Sequence, residues 1–298
     1  MTLIPFDERD GVIWLDGQLV NWRDAKVHIL THALHYGSSV FEGLRMYEGE
    51  IFKLQEHSER LIRSAKLLGF DIPYSVEEIN QACLRAVRVN NLEDAYVRPV
   101  AWRGTEQMGV SAPLSKIHLA VAAWEWPSYF SPELQEKGIK LQTSRWRRPS
   151  PDTAPTASKA AGLYMICTLS KHAADDAGYH DALMLDWRGQ VAEATGANFF
   201  MVKDGVLYTP PVDCILDGIT RRTVIDLARE HHITVVERAI WPDELDSAEE
   251  IFLTGSAAEV TAVGQIDQKI YKVGAVTRTL RDAYQKLVRA HKNKQAAA

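Results

Sequence analysis

The chain has 298 residues, about twice the length of a typical single domain, and is expected to divide into two. At 46% hydrophobic and 24% charged residues, with 12 Pro and 18 Gly, it has the composition of a globular enzyme and falls outside the disordered, collagen-like and low-complexity classes. Thirty-four basic against 39 acidic residues leave a net charge of −5, with no positive excess to meet a phosphate backbone, so nucleic acid is not an expected partner.

Met1–Asp10 has no basic region ahead of an apolar core, and no stretch approaches the roughly 20 apolar residues of a membrane span. No export or membrane role is expected. Val12–Val20 then reads as a hairpin turning at Asp16-Gly17, a pair that tolerates the positive φ of a two-residue turn. Ser39–Tyr47 and Glu50–Leu54 read as a second hairpin around Glu48-Gly49. Leu61, Ile62, Ala65 and Leu68 recur at helical spacing over 57–68, and Ser75 to Glu78 is a capping box that opens a helix through Val87. Ala95–Ala101 and Ile117–Trp124 are expected strands that complete an α+β domain over 1–126.

Trp126–Pro132 breaks both periodicities and places a linker at 127–137. A second, larger domain is expected over 138–298. Its strands are predicted at Ile139–Thr143, Ala182–Asp186, Ala197–Lys203, Gly205–Thr209, Thr234–Ala239 and Glu250–Leu253, and its helices at Gly162–Ala177, Gly218–His231 and Ala275–His291. Residues 145–157 are expected to be irregular, and the basic run Arg145–Arg148 reads as surface charge. Cys83, Cys167 and Cys214 are odd in number and far apart, with no C-x-x-C, so neither disulfides nor a metal site is expected and the expected location is the cytoplasm.

Several residues could carry chemistry, each beside a plainer reading. Lys159 lies among small residues, Pro155 to Gly162, that give its amine little polar company, the setting used by Schiff-base lysines; the plainer reading is a solvated lysine at a helix start. Glu193 sits among small residues and needs a partner, which a protonated pyridine nitrogen could be, unless it is only an edge-strand charge. Gly218-Ile-Thr-Arg221 opens a helix whose free amides suit a phosphate, and Thr254 to Ala258 is a turn of hydroxyls and amides that suits oxyanions. Tyr96 and Arg98 share one strand face, where a guanidinium could match a carboxylate or simply be a paired surface arginine.

Taken together, the order and spacing of these residues resemble the class IV pyridoxal-phosphate aminotransferases, most closely the branched-chain amino acid aminotransferases. The signature runs from Glu193 through Thr195, Asn198, Phe199, Phe200, Leu207 and Thr209 to Leu216, Gly218, Ile219 and Arg221. His35–Gly43, Ala95–Pro99, Met108–Val110, Pro155–Tyr164 and Thr254–Glu259 also look like the family, so the resemblance covers about residues 10–290.

The resemblance implies a fold-type IV enzyme of two α/β domains, with pyridoxal 5'-phosphate at the domain interface. It implies that Lys159 binds the cofactor covalently and moves the substrate proton, that Glu193 faces the pyridine nitrogen, and that Tyr164 bonds the ring's phenolic oxygen. Arg60, Ile219, Thr220 and Ser256 would hold the phosphate. Phe41, Trp126, Tyr129 and Tyr164 would form an apolar wall for Leu, Ile or Val, with Arg98 taking the glutamate carboxylate beside Tyr36 of a neighbouring subunit. Tyr96 and the Ser256 and Ala257 amides would meet the α-carboxylate. Val110 would cross the subunit interface, so the expected partners are amino and 2-oxo acids and further copies of the chain, as a homodimer or homohexamer. Ser256 departs from the commoner threonine, and Thr105–Gln107 is atypical for its loop. D-amino acid and (R)-amine transaminases and aminodeoxychorismate lyase share Lys159 and Glu193, and Tyr96 with Arg98 separates the branched-chain reading from them. A silent cofactor-binding protein would lack part of the Lys159, Tyr164, Glu193 set, which is complete here.

Overall fold

A computed structural model describes residues 4–126 and 131–290. They belong to two compact units, Met1–Pro127 with Ser158–Gly162, and Ser128–Ala157 with Leu163–Ala298. Each is a sheet covered by helices.

In the first unit, β1 (Val12–Leu15) and β2 (Gln18–Asn21) join through Asp16 and Gly17, both at positive φ as the hairpin requires. There follow α1 (His32–Tyr36), β3 (Ser39–Phe41), β4 (Leu44–Tyr47), β5 (Glu50–Ile51), α2 (Leu54–Leu67), α3 (Val76–Val89), β6 (Ala95–Arg103) and β7 (Ile117–Glu125). The sheet is antiparallel in the order β2-β1-β7-β6-β4-β5, with β3 also on β6. One face, with Ala95, Val97, Ala101, Leu119, Val121 and Ala123, forms the core with Leu61, Ala65, Ile79, Cys83 and Ala86 of α2 and α3. The strand period of two turns Tyr96, Arg98 and Trp124 to the other face.

Three features of this unit differ from the expectation. The strand expected over 39–47 is interrupted at Glu42 and Gly43 although its register on β6 continues, Phe41 opposite Val100 and Leu44 opposite Val97. The gap lies opposite Pro99, which has no N–H to give a ladder. Leu54 opens α2 rather than ending a strand. The capping box forms as read: Ser75 Oγ accepts from the Glu78 amide, and the Glu78 carboxylate accepts from the Ser75 amide. The segment 158–162, assigned by sequence to the C-terminal stretch, packs in this first unit, where Val40 bridges to Ala160.

The second unit holds α4 (Pro132–Lys137), β8 (Ile139–Arg148), α5 (Tyr164–Asp176), β9 (Asp181–Asp186), β10 (Val191–Ala194), β11 (Asn198–Lys203), β12 (Val206–Thr209), α6 (Ile219–Glu230), β13 (Val235–Glu237), β14 (Glu250–Gly255), β15 (Glu259–Ile266), β16 (Lys269–Ile270) and α7 (Ala275–Val288). The strands run β10-β9-β8-β15-β14-β11-β12-β13, and the pair Glu193 with Asn198 joins β10 to β11, closing six strands into a ring. Alternate side chains fill the ring, among them Ile139, Leu141, Leu183, Val191, Phe199, Met201, Ile251, Leu253 and Val263. Outside it, Phe200 and Phe252 stack at 5.0 Å.

Here too the structure departs from expectation. Residues 132–137 of the expected linker are helical, opened by Ser131 Oγ accepting from the Leu134 amide. Arg145–Arg148 are not irregular but continue β8, Arg148 pairing with Asp186. Three strands lie outside the expected set: β10, whose alanines carry little strand preference, β15, which returns from β14 as a hairpin, and the short β16 that pairs with β15.

Candidate active site

In the first unit Lys159 is held by its backbone. Its amide donates to Ser64 Oγ on α2 at 3.0 Å, and its carbonyl accepts from the Phe41 amide at 3.2 Å. The Lys159 ammonium lies 4.9 Å from the centre of the Phe41 ring, and the Arg98 guanidinium lies 4.7 Å from the same centre. The expected apolar wall therefore also seats two cations through the ring's electron-rich faces. Arg98 Nη2 donates to the Tyr96 hydroxyl at 3.0 Å, so the two share a face as read, while its buried Nε has no hydrogen-bond partner among the described residues. Gly43 makes room for this pair, since a Cβ there would come within 1.9 Å of the Tyr96 oxygen.

Trp124 and Trp126 each sit 5.1 Å from the Tyr96 ring, which extends the aromatic surface. Arg60 is buried on α2 and gives Nε and Nη2 to Glu42 at 2.6 and 2.8 Å. Tyr36 and Val110 are exposed, Val110 at 86%. Tyr129 lies outside the described residues.

In the second unit Glu193 is buried on β10 and accepts from Asn198 Nδ2 at 3.1 Å. Its other oxygen lies 3.2 Å from Arg148 Nε. Arg148 is the residue that the sequence reading missed: it is 4% exposed, and the guanidinium also donates to the Cys214 carbonyl. Reading Arg148 as surface charge is thus corrected, because a charge removed from water needs a charged partner and Glu193 supplies it. Strand periodicity does not single out Arg148, because a period of two from the core residues Ile139 and Leu141 puts Arg147 on their face and Arg148 on the other. Burial works against the Arg148 charge, but the Glu193 carboxylate and the Cys167 and Tyr164 groups raise its pKa above the ordinary guanidinium value. Burial likewise pushes the Cys167 thiol up to about 11.

Helix α6 starts after Gly218 with no side-chain cap, so the amides of Ile219 and Thr220 open the helix without one. Gly218 is required by close approach: a Cβ there would meet Asn198 Oδ1 at 2.0 Å. Thr254, opposite Asn198, is 1% exposed, and its hydroxyl lacks a hydrogen-bond partner among the described residues. Ser256 and Ala257 follow in the half-buried turn between β14 and β15. The first unit thus gathers Lys159, Arg98, Tyr96, Phe41 and Trp126, with Arg60 on α2, and the second gathers Glu193, Arg148 and Tyr164, with the α6 start on the chain beyond β12.

The amino-transferase class IV family model matches residues 39–266. The branched-chain-amino-acid aminotransferase of Pseudomonas aeruginosa is 47% identical over 290 residues, covering 94% of each chain. A crystal structure of the Escherichia coli branched-chain amino acid aminotransferase is similar with a TM-score of 0.91 and 40% identity, covering 94% of this chain and 95% of that one. The branched-chain amino acid aminotransferase of Thermobaculum terrenum, solved in its PLP-containing holo form, gives a TM-score of 0.85 and 33% identity over 94% of each chain. On these grounds the chain belongs to the class IV aminotransferases.

Proposed function

We propose that the chain transfers the amino group of L-leucine, L-isoleucine or L-valine to 2-oxoglutarate, giving the branched-chain 2-oxo acid and L-glutamate, with pyridoxal 5'-phosphate as cofactor. The observation that carries the substrate reading is Arg98 bonded to Tyr96 and lying over Phe41 beside the Lys159 amine. Aromatic rings favour an aliphatic side chain by burial, and a guanidinium at the same place donates to the second carboxylate of glutamate.

The donor set fits the cofactor. A lysine amine, a buried carboxylate, a phenol and an arginine match an aldehyde, a ring nitrogen, a phenolic oxygen and a phosphate. The uncapped start of α6 and the unsatisfied Thr254 hydroxyl are further donors of the kind an anionic group uses. Bound pyridoxal 5'-phosphate supplies an electron sink for the electron pair left when the substrate Cα–H bond breaks.

The residues of this chain do the rest. Lys159 Nζ holds the cofactor between turnovers and takes the proton from the substrate α-carbon. Glu193, steadied by Arg148 and Asn198, keeps a ring nitrogen protonated, and Tyr164 donates to the phenolic oxygen. Arg60, the Ile219 and Thr220 amides and Ser256 bind phosphate; Tyr96, Ser256 and Ala257 orient the α-carboxylate. Trp126, Phe41, Tyr164 and Tyr129 line the side-chain site. Tyr36 and Val110 complete the site of a neighbouring copy, and exposed Ile29, Leu34, Met108 and Leu114 support self-association as a homodimer or homohexamer. Three buried free thiols suit a reducing cytoplasm, where we place the chain.

Initial rates with each amino donor, with and without 2-oxoglutarate, test this reading. Turnover of L-leucine, L-isoleucine and L-valine that depends strictly on 2-oxoglutarate is expected. Preference for D-alanine or an (R)-amine, or pyruvate release from aminodeoxychorismate without a keto acid, would overturn the substrate assignment.

A further inference from the structure

Glu42 is fully buried, yet it carries a carboxylate bonded on both oxygens. Oε1 accepts from Arg60 Nε at 2.6 Å, and Oε2 accepts from Arg60 Nη2 at 2.8 Å and from His57 Nδ1 at 2.7 Å. His57 and Arg60 are 2% and 4% exposed, so the three form a buried cluster. The Arg60 guanidinium and the His57 ring hold the Glu42 carboxyl well below its usual range against the opposing effect of burial, so it is ionised and can only accept. His57 Nδ1 therefore carries the proton.

Two parallel bonds along one edge fix the plane of a guanidinium as well as its position. The same short segment of chain governs Lys159: Phe41, next to Glu42, bonds the Lys159 carbonyl, and Ser64, one turn beyond Arg60 on α2, bonds the Lys159 amide. Arg60 and Ser64 are four positions apart, so the two lie on one helix face.

We infer that Glu42, supported by His57, is the positioning residue that orients Arg60 for the cofactor phosphate and keeps that anchor in register with Lys159. This rests on the reading of Arg60 as the phosphate arginine. Glu42 does not touch the cofactor; it acts through Arg60.

The test compares wild type with Glu42→Gln, His57→Gln, Arg60→Ala and the Glu42→Gln/Arg60→Ala double variant, each resolved of cofactor and titrated with pyridoxal 5'-phosphate and, separately, with pyridoxal, which lacks the phosphate. Dissociation constants are read from cofactor absorbance, and thermal unfolding of each variant is followed in parallel. Arg60→Ala and Glu42→Gln are each expected to weaken the phosphorylated cofactor about 10- to 100-fold, the range of one charge-assisted hydrogen bond, while pyridoxal affinity stays within about twofold. The double variant is expected to bind no worse than Arg60→Ala, and His57→Gln to shift the ratio in the same direction by a smaller factor. Equal weakening of both ligands by Glu42→Gln, or full additivity with Arg60→Ala, overturns the inference, because a merely structural residue would do that. If Glu42→Gln does not fold, an unchanged ratio in His57→Gln overturns it. A ratio unchanged in Arg60→Ala overturns the Arg60 reading itself, and the inference falls with it.

Discussion

Two cations lie over the one Phe41 ring, and the proposed substrate reading makes this surface selective by charge as well as by shape. Arg98 should then matter for one substrate and not the other. Arg98→Met is expected to raise the KM for 2-oxoglutarate about 10- to 100-fold while kcat/KM for L-leucine changes by less than about threefold, as loss of one charged hydrogen-bonding group implies; equal loss for both substrates would contradict the assignment. Lys159→Ala is expected to slow amino transfer by at least the roughly 10²- to 10⁴-fold that a positioned acid–base group contributes, measured in single turnover. Lys159, Glu193 and Arg98 could be proposed from the sequence because they stand in motifs whose spacing matches a family. Arg148 could not, since a run of three arginines reads as solvated charge until the strand places one of them against Glu193.

At the level of elements, local signals survived wherever one interaction decides the geometry. The Asp16-Gly17 turn and the Ser75 capping box formed as read because each depends on residues within four positions. Ser75→Ala is expected to lower stability by about 1 kcal/mol in urea unfolding, the usual worth of a helix N-cap, without changing activity. What local reading left out were features fixed by distant partners: the gap at Glu42 set by Pro99 on β6, the extension of β8 along β9, and the strand β10 held by β9 and β11. Each depends on ladder partners that no local window contains.

For the molecule as a whole, acid should weaken the fold through the buried cluster. The Glu42 carboxyl has a folded pKa depressed from 4.5, so its stabilisation is fully present above that value and is lost as the pH falls below it. Burial lowers the His57 pKa from 6.5 despite the Glu42 carboxylate beside it, so the unfolded chain takes up this proton first and folding is disfavoured progressively below that pH. The melting temperature is therefore expected to decline from about pH 7 towards pH 4, and to decline less between about pH 6.5 and 4.5 in His57→Gln; an equal decline there would contradict this. On the proposed self-association through exposed Val110 and Leu114, Val110→Asp should shift sedimentation towards monomer while lowering activity.

Amino transfer by a lysine-bound cofactor between a branched-chain donor and 2-oxoglutarate is tested most directly by the visible spectrum of the purified protein during addition of L-leucine without any keto acid. Loss of the yellow absorbance, restored by 2-oxoglutarate, is the predicted result. A yellow protein left unchanged by L-leucine would contradict the account.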